Sequence, residues 1–424
     1  MPDTDRGFAA RTLPAPAGAD PDVVIVGAGP AGLLLGLLLG RRGRSVLLLE
    51  RAPRPRPGPG NGICPILQPV TLGVLDDLGL LPDLAKGTTP VTRGEVVAGG
   101  ATVAAHSYGD LPGAPVDHAL PVSILQLRDV LTEAVRATPG VEIVYDATVH
   151  GLPARADEET GVRCVRVETD AGVRTLRPAL VVGCDGKHSA VRGMAGITAR
   201  TRTYTHGYLE LRVPMPEFWG TTMRAYFTAD GYMLGTPIAD DQLLFVWITA
   251  PEIAERATSG PLPDLVERFA AGIPDAADWI RDHTHDRSRF REFAHHIVRP
   301  ERWVDGNVLL VGDAAHGVHV YGGQGLNLSL QDAACLAQAC DEALSGKDAG
   351  ALHRFEAVRR PYVSGFQDMQ EAHLEALATA ATSGPRQRDR GDGQHLPEFA
   401  PLALGQPELR TALSHAGRPA GTRS

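Results

Sequence analysis

The feature that most constrains this chain is a glycine-patterned run, Val23-Val24-Ile25-Val26-Gly27-Ala28-Gly29-Pro30-Ala31-Gly32. Its apolar, β-branched start predicts a buried strand, the glycines predict a turn, and the leucines that follow predict a helix. A second strand is expected over Ser45–Leu49, closing a βαβ unit that ends in Glu50. In such a unit Gly27 permits the tight turn out of the strand. Gly29 lets the backbone approach a pyrophosphate, and Gly32 lets helix and strand pack closely. Pro30 and Ala31 open the helix, whose free N–H groups and dipole favour a negative group. Glu50 stands 23 positions after Gly27. A carboxylate there can accept both ribose hydroxyls of an adenosine and would repel a 2′-phosphate, which leaves NAD and FAD for this pocket. Arg51 is expected on the same cofactor edge.

From Val23 to Gly40 the chain runs 18 residues without a charge, the lower edge of a membrane-span signal. The central glycines and proline make strand, turn and buried helix the better reading. The net charge of −9 gives no basic footprint for nucleic acid or an anionic lipid surface. The five cysteines form no C-x-x-C pair, so neither a disulfide framework nor a zinc site is predicted, and cytoplasmic residence is the expectation.

The fold class expected is α/β: a Rossmann-like dinucleotide domain, a second, mainly antiparallel β-sheet lobe for substrate, and C-terminal helices. Residues 1–20 read as a disordered arm. The first domain is expected to be discontinuous, from 21–200 and 300–345, with the substrate lobe at 201–299. A C-terminal helix is expected over 346–381 and a flexible tail over 382–424. Finer elements include a loop at 51–62, helices near 70–81 and 125–135, a strand over 142–149 and a hairpin around 170–172. Further helices are expected over 263–282 and 326–344.

Two later motifs favour FAD. Gly183-Cys184-Asp185-Gly186-Lys187-His188-Ser189-Ala190-Val191-Arg192 follows a short buried strand. Gly312-Asp313-Ala314-Ala315-His316 follows another, and Gly322-Gly323-Gln324-Gly325-Leu326-Asn327 makes a glycine turn opening a helix. In this order the chain resembles the class A flavoprotein monooxygenases, the para-hydroxybenzoate hydroxylase group, from about residue 22 to 365, including Arg359-Arg360-Pro361. Asp313 is suited to ribityl hydroxyls. The backbone N–H groups from Gly323 to Asn327 form a positive pocket that favours an anionic reduced flavin. The resemblance places Asp185 and Arg192 near the cofactor and the nicotinamide approach, and Arg128 near the FAD phosphates, with Gln126 as the alternative in that helix.

The resemblance implies that FAD, reduced by NADPH or NADH, activates O2 through a C4a-hydroperoxyflavin and hydroxylates or epoxidises an organic, aromatic or polycyclic, substrate. Neither nucleic acid nor a membrane is an expected partner, and a monomer or homodimer is expected. Met223, Tyr226, Tyr232 and Trp247 are candidates to line an apolar substrate pocket, against the alternative that most of them are ordinary core. Two departures stand out. The stretch Gly317-Val318-His319-Val320-Tyr321 lacks the proline usual in the family, and no Lys or Arg occurs between Gly60 and Thr71. His319 and Tyr321 are the candidate catalytic residues, as groups that touch substrate or tune the flavin, against the alternative that they are backbone spacers. A flavin reductase or dehydrogenase without oxygen transfer, and a non-catalytic FAD-binding protein, stay open as other readings.

Overall fold

The computed structural model describes residues 20–55, 63–154, 162–205, 207–228 and 230–383. The expected N-terminal arm and C-terminal tail, and part of the expected loop over 51–62, lie outside the described residues. The first layer is a six-stranded sheet. Its strands run in the order Val304–Asp305, Val308–Leu310, Leu180–Gly183, Val23–Val26, Val46–Leu49 and Val141–Val144, all parallel except the first. The central strands are buried on both faces, as parallel strands must be when helices cover them.

Helix Pro30–Arg41 lies against this sheet, and helices Gly325–Leu344 and Ile124–Arg136 pack beside it. Leu33, Leu34, Leu35, Leu37, Leu38 and Leu39 are fully buried, so the uncharged run is a core helix. Its glycines at four-residue spacing face the strands. A Cβ on Gly36 would lie 2.9 Å from Leu48 Cδ1, and one on Gly40 would lie 2.2 Å from Val141 Cγ2.

The second layer is a seven-stranded sheet, in the order Phe290–Glu292, Tyr208–Pro214, Gln242–Ile248, Gly231–Ile238, Thr222–Thr228, Arg93–Ala98 and Ala101–Ser107. All its pairings are antiparallel except Thr222–Thr228 with Arg93–Ala98. The sheet therefore draws its last two strands from the middle of the first segment, not from 201–299 alone. These strands alternate polar and small residues at a half-exposed edge, which weakens their apolar signature.

The pleat sorts the aromatic residues between two faces. Leu209, Leu211, Tyr226, Met233, Phe245 and Trp247 face helices Pro251–Ser259, Leu262–Gly272 and Ala277–His283. Tyr208, Ala225, Tyr232, Leu244, Val246 and Ile248 face the other way, onto Tyr321 and Leu377. The four candidate pocket side chains are thus split, and for three the core alternative holds: Tyr226 and Trp247 belong to the outer core, and Met223 packs with Val91, Tyr108 and Ala119.

The strand expected over 142–149 is broken after Val144. Asp146 takes a φ of 55°, and the chain resumes as Thr148–Gly151 in a separate sheet with the hairpin Val165–Thr169 and Gly172–Leu176. The helical stretch expected over 263–282 is interrupted at Pro274, where a 3-10 turn intervenes. The C-terminal helix runs unbroken over Ala351–Ser383 through Pro361.

Candidate active site

Strand register gathers the motifs. Val26 pairs with both Gly183 and Leu49, and Gly183 pairs with Leu310. The next residue on each strand is Gly27, Cys184, Glu50 or Val311, so the fingerprint, the carboxylate and both later motifs leave the sheet side by side. This is the carboxyl edge of a parallel sheet, where open α/β folds bind ligands.

Gly27 has a φ of +106°, and a Cβ there would lie 2.4 Å from the Cys184 carbonyl oxygen. Both facts exclude a side chain. A Cβ on Gly32 would lie 2.1 Å from the Gly27 carbonyl oxygen, which is the close approach of helix to turn. Gly29 differs. Its φ of −73° and ψ of 174° suit any residue, and a Cβ there would meet nothing within 4 Å. The backbone has no need of glycine here; the space above it does. Pro30 occupies the first helical turn, which carries no acidic side chain to neutralise its N–H groups.

Glu50 accepts hydrogen bonds from the Ala28 and Ala52 N–H groups, each at 2.9 Å. Its carboxylate is thereby fixed beside the turn with lone pairs remaining for hydroxyl donors. Arg51 is exposed next to it. At the other side, Gly312 is in the left-handed region at φ +63°, and a Cβ there would crowd Ser329 Oγ at 3.2 Å and Ala31 Cβ at 3.5 Å. The Asp313 side chain is exposed on this edge.

The turn Gly322-Gly323 has φ values of +86° and +62°, and a Cβ on Gly323 would meet nothing within 4 Å. It leads through Gln324, whose Nε2 donates to the Gly322 carbonyl at 3.1 Å, into Gly325 and Leu326 at the helix start. Asn327 is fully buried. Its Oδ1 accepts from the Gln68 N–H at 2.9 Å, and its Nδ2 donates to the Ile66 carbonyl at 2.9 Å. The side chain thus ties the helix start to Ile66–Gln68.

Asp185 Oδ2 accepts from the N–H groups of Ala190 at 2.7 Å and Val191 at 3.0 Å, while its buried Oδ1 has no hydrogen-bond partner among the described residues. Arg192 donates to the Ala314 carbonyl at 2.8 Å and the Lys187 carbonyl at 2.9 Å, so it staples the two later motifs together. In helix Ile124–Arg136 the two candidates separate. Gln126 Nε2 caps the carbonyls of Asp83, Leu84 and Lys86. Arg128 is half-buried; its Nη2 lies 3.7 Å from Asp129 Oδ1, and its buried Nε has no hydrogen-bond partner among the described residues.

His319 and Tyr321 are 2% and 1% exposed. His319 Nδ1 accepts the Tyr321 N–H at 3.1 Å, which leaves the proton on Nε2. Its ring lies edge-on to Tyr204 and close to His295. Burial, with His295 and His373 nearby, pushes its pKa down to about 3, so it is neutral at ordinary pH. Tyr321 stacks on His373 at 3.9 Å and meets Tyr232 of the seven-stranded sheet edge-on at 5.4 Å. Burial holds its hydroxyl well above the usual range.

A family model, the FAD binding domain, matches residues 20–369. The chain belongs to that family, and it is a class A FAD-dependent monooxygenase. The monooxygenase is 32% identical to kynurenine 3-monooxygenase of Salinispora arenicola, over 84% of this chain and 80% of that protein. It is 29% identical to protoasukamycin 4-monooxygenase of Streptomyces nodosus subsp. asukaensis, over 85% and 89%. The crystal structure of Pseudomonas aeruginosa PqsL in complex with 2-aminobenzoylacetate superposes with a TM-score of 0.75 at 27% identity, covering 85% of this chain and 97% of that one.

The residues present fit FAD. The open space at Gly29 and Gly323, the uncapped helix start at Pro30, and the Arg128 Nε and Asp185 Oδ1 atoms without a partner among the described residues all lie on the motifs that the sequence assigns to the cofactor. NADPH or NADH is the co-substrate.

Sequence reasoning missed the buried scaffold behind the monooxygenase site. His316 Nε2 and Asp332 Oδ2 are 2.5 Å apart, and Arg359 Nε bonds Asp332 Oδ1; all three residues are 1% exposed or less. Burial opposes ionisation of Asp332, but Arg359 and His316 override it and hold the carboxyl below its ordinary value. The cluster joins the motif at 312–316, helix Gly325–Leu344 and the final helix. No local pattern announces it, because its members lie 16 and 27 residues apart.

Proposed function

We propose that the chain hydroxylates or epoxidises an aromatic or polycyclic small molecule held between the inner face of the seven-stranded sheet and the turn over 318–325. The observation that carries this reading is the register row that brings Gly27, Glu50, Cys184 and Val311 to one sheet edge, with Tyr321 reaching Tyr232 across the gap. In this reading 21–200 and 300–345 hold the cofactor and most of 201–299 shapes the substrate face. Gly27, Gly29, Pro30, Ala31, Gly32 and Arg128 would hold the FAD pyrophosphate. Glu50 and Arg51 would hold its adenosine, Asp185, Gly312 and Asp313 its middle, and Gly323 to Asn327 its ring system.

Bound FAD would supply the redox chemistry, taking hydride equivalents from NAD(P)H and delivering one atom of O2 to carbon while the other leaves as water. The chain supplies place and environment. N–H groups at the start of helix Gly325–Leu344 favour negative charge on whatever rests there. Tyr232, Leu244, Val246 and Ile248 keep the opposing wall apolar and dry. The polar handle on that wall is Glu210, 2% exposed, which accepts from Tyr208 Oη at 2.7 Å and Arg212 at 3.3 Å, with Arg291 at 3.9 Å. Such a group would orient a substrate.

Support for a reducing, cytoplasmic setting comes from the cysteines, all five free. No helix among the described residues is long and apolar enough to cross a membrane. The oligomer expected is a monomer or homodimer. The test is turnover of FAD-loaded protein with NADPH or NADH under 18O2, against a panel of phenols, anilines and polycyclic quinones. One 18O atom in a product supports the reading. Oxygenated product that carries oxygen from water instead overturns it.

A further inference from the structure

The family's loop proline is missing here, yet the loop is tightly held. Gln370, fully buried on the final helix, reaches it with both ends of its amide. Its Oε1 accepts the His319 N–H at 3.0 Å, and its Nε2 donates to the His319 carbonyl at 2.7 Å and to the Tyr321 carbonyl at 2.5 Å. One turn earlier, Gln367 Nε2 donates to the carbonyls of Gly317 at 2.8 Å and Val298 at 3.0 Å. On the same helix His373 stacks on Tyr321, and Phe366 lies where a Cβ on Gly322 would meet its ring at 3.1 Å.

We propose that Gln370 is the positioning residue of this enzyme's flavin-facing loop, doing with three side-chain hydrogen bonds what a proline does with a fixed φ. The physics is direct. Proline restricts its own φ and biases the residue before it, so a loop containing it loses little entropy on ordering. Without it the segment Gly317–Tyr321 has more conformations to surrender, and its buried N–H and C=O groups need partners. A single primary amide has two donors and an acceptor, and here it uses them on two residues of one loop. The clamp also gives the final helix a share in the active site, although that helix offers no motif for the cofactor.

This inference rests on the reading that the flavin ring lies against the turn from Gly322 to Asn327, and the test separates the two. Gln370→Met keeps the volume and removes the three bonds. Two readouts are taken on protein loaded with FAD, without substrate. The first is amide hydrogen exchange at His319 and Tyr321. The second is the visible absorbance and circular dichroism of bound FAD, with its anaerobic reduction rate by NADPH and by NADH. The expected result is faster exchange at His319, whose N–H loses its acceptor, with altered flavin spectra and reduction slowed on the order of 10-fold. FAD affinity is expected to stay within about threefold, since the adenosine half is held elsewhere. Adding Val320→Pro, a position whose N–H finds no acceptor among the described residues, is expected to restore the spectra.

Unchanged exchange in Gln370→Met overturns the clamp itself. Faster exchange with unchanged flavin spectra and rates overturns its link to the cofactor and the placing of the ring at this turn. Altered spectra that Val320→Pro leaves unrestored overturn the equivalence with proline.

Discussion

Gly29 permits a test that separates cofactor binding from folding. Its backbone is extended, at φ −73° and ψ 174°, so alanine fits without strain, and a Cβ would meet no atom within 4 Å. Gly29→Ala therefore costs the protein without cofactor nothing in contacts and removes freedom from its unfolded chain. Gly29 is also the N-cap of helix Pro30–Arg41, where alanine is poorer than glycine, so the two effects offset and the expected change in stability is within about 1 kcal/mol. With FAD placed as proposed, the same methyl would occupy the space that lets the pyrophosphate approach the backbone. An intruding methyl group in a close-packed site costs about 1–3 kcal/mol, or roughly 5- to 150-fold in Kd. Gly27→Ala is the contrast. At φ +106° and with its Cβ 2.4 Å from the Cys184 carbonyl oxygen, it must displace the turn from the sheet, a loss of more than about 2 kcal/mol before any cofactor is added. Urea denaturation of the cofactor-free proteins and FAD titration by fluorescence quenching measure both quantities. If Gly29→Ala binds FAD as the parent does, or unfolds as easily as Gly27→Ala, the open space at Gly29 is not the pyrophosphate's and the reasoning fails.

Arg359→Met leaves the Asp332 carboxylate buried beside His316 without its guanidinium; the expected loss is about 3–5 kcal/mol in urea denaturation, and a loss below about 1 kcal/mol would contradict the role given to the pair. Acid should destabilise the fold through His319 and His295, whose pKa values are pushed by burial from 6.5 down to about 3 and about 4. Below pH 6.5 the unfolded chain takes up these protons and the folded chain does not, so stability is complete above that pH and falls toward pH 4. At pH 5 the loss is about 2 kcal/mol for each ring. His319→Gln, which keeps an acceptor for the Tyr321 N–H, should lower the slope of unfolding free energy against pH by about one proton between pH 6.5 and 5, and an unchanged slope would rule out His319 as a source.

What could be read from the sequence is what contiguous residues encode. The run from Val23 to Gly32 specifies its own turn because its constraints, a positive φ at Gly27 and close packing at Gly32, are met within a few residues. Helices Gly325–Leu344 and Ile124–Arg136 show their period over enough turns to be found. Arg93–Ala98 and Ala101–Ser107 escaped notice because an edge hairpin with one exposed strand carries little apolar alternation. Tyr226 and Trp247 were grouped with Tyr232 because composition reports that a sheet is aromatic but not which face each residue takes; the register decides that. Asp332, Gln367 and Gln370 look like ordinary polar positions on helices. Their partners are set by tertiary packing, 16 to 69 residues away.

The two ends of the site are consequently held by different physics. At the proposed pyrophosphate end the determinants are backbone N–H groups and missing Cβ atoms, fixed by a sheet whose strands are buried on both faces. Little side-chain entropy is spent there, and the geometry survives most changes elsewhere. At the proposed flavin end the loop Gly317–Tyr321 is bonded by the buried amides of Gln367 and Gln370, and the buried ions Asp332, Arg359 and His316 lie directly before it. Each such group stabilises only while its partners are present, since removing one strands the rest without water. The arrangement is therefore close to all-or-none, which gives a proline-free loop one conformation instead of several. With the ring placed as proposed, it also puts control of the flavin environment on a helix whose sequence has no cofactor signature. Substitutions on the inward face of Ala351–Ser383 should accordingly alter chemistry at the ring before they alter cofactor retention.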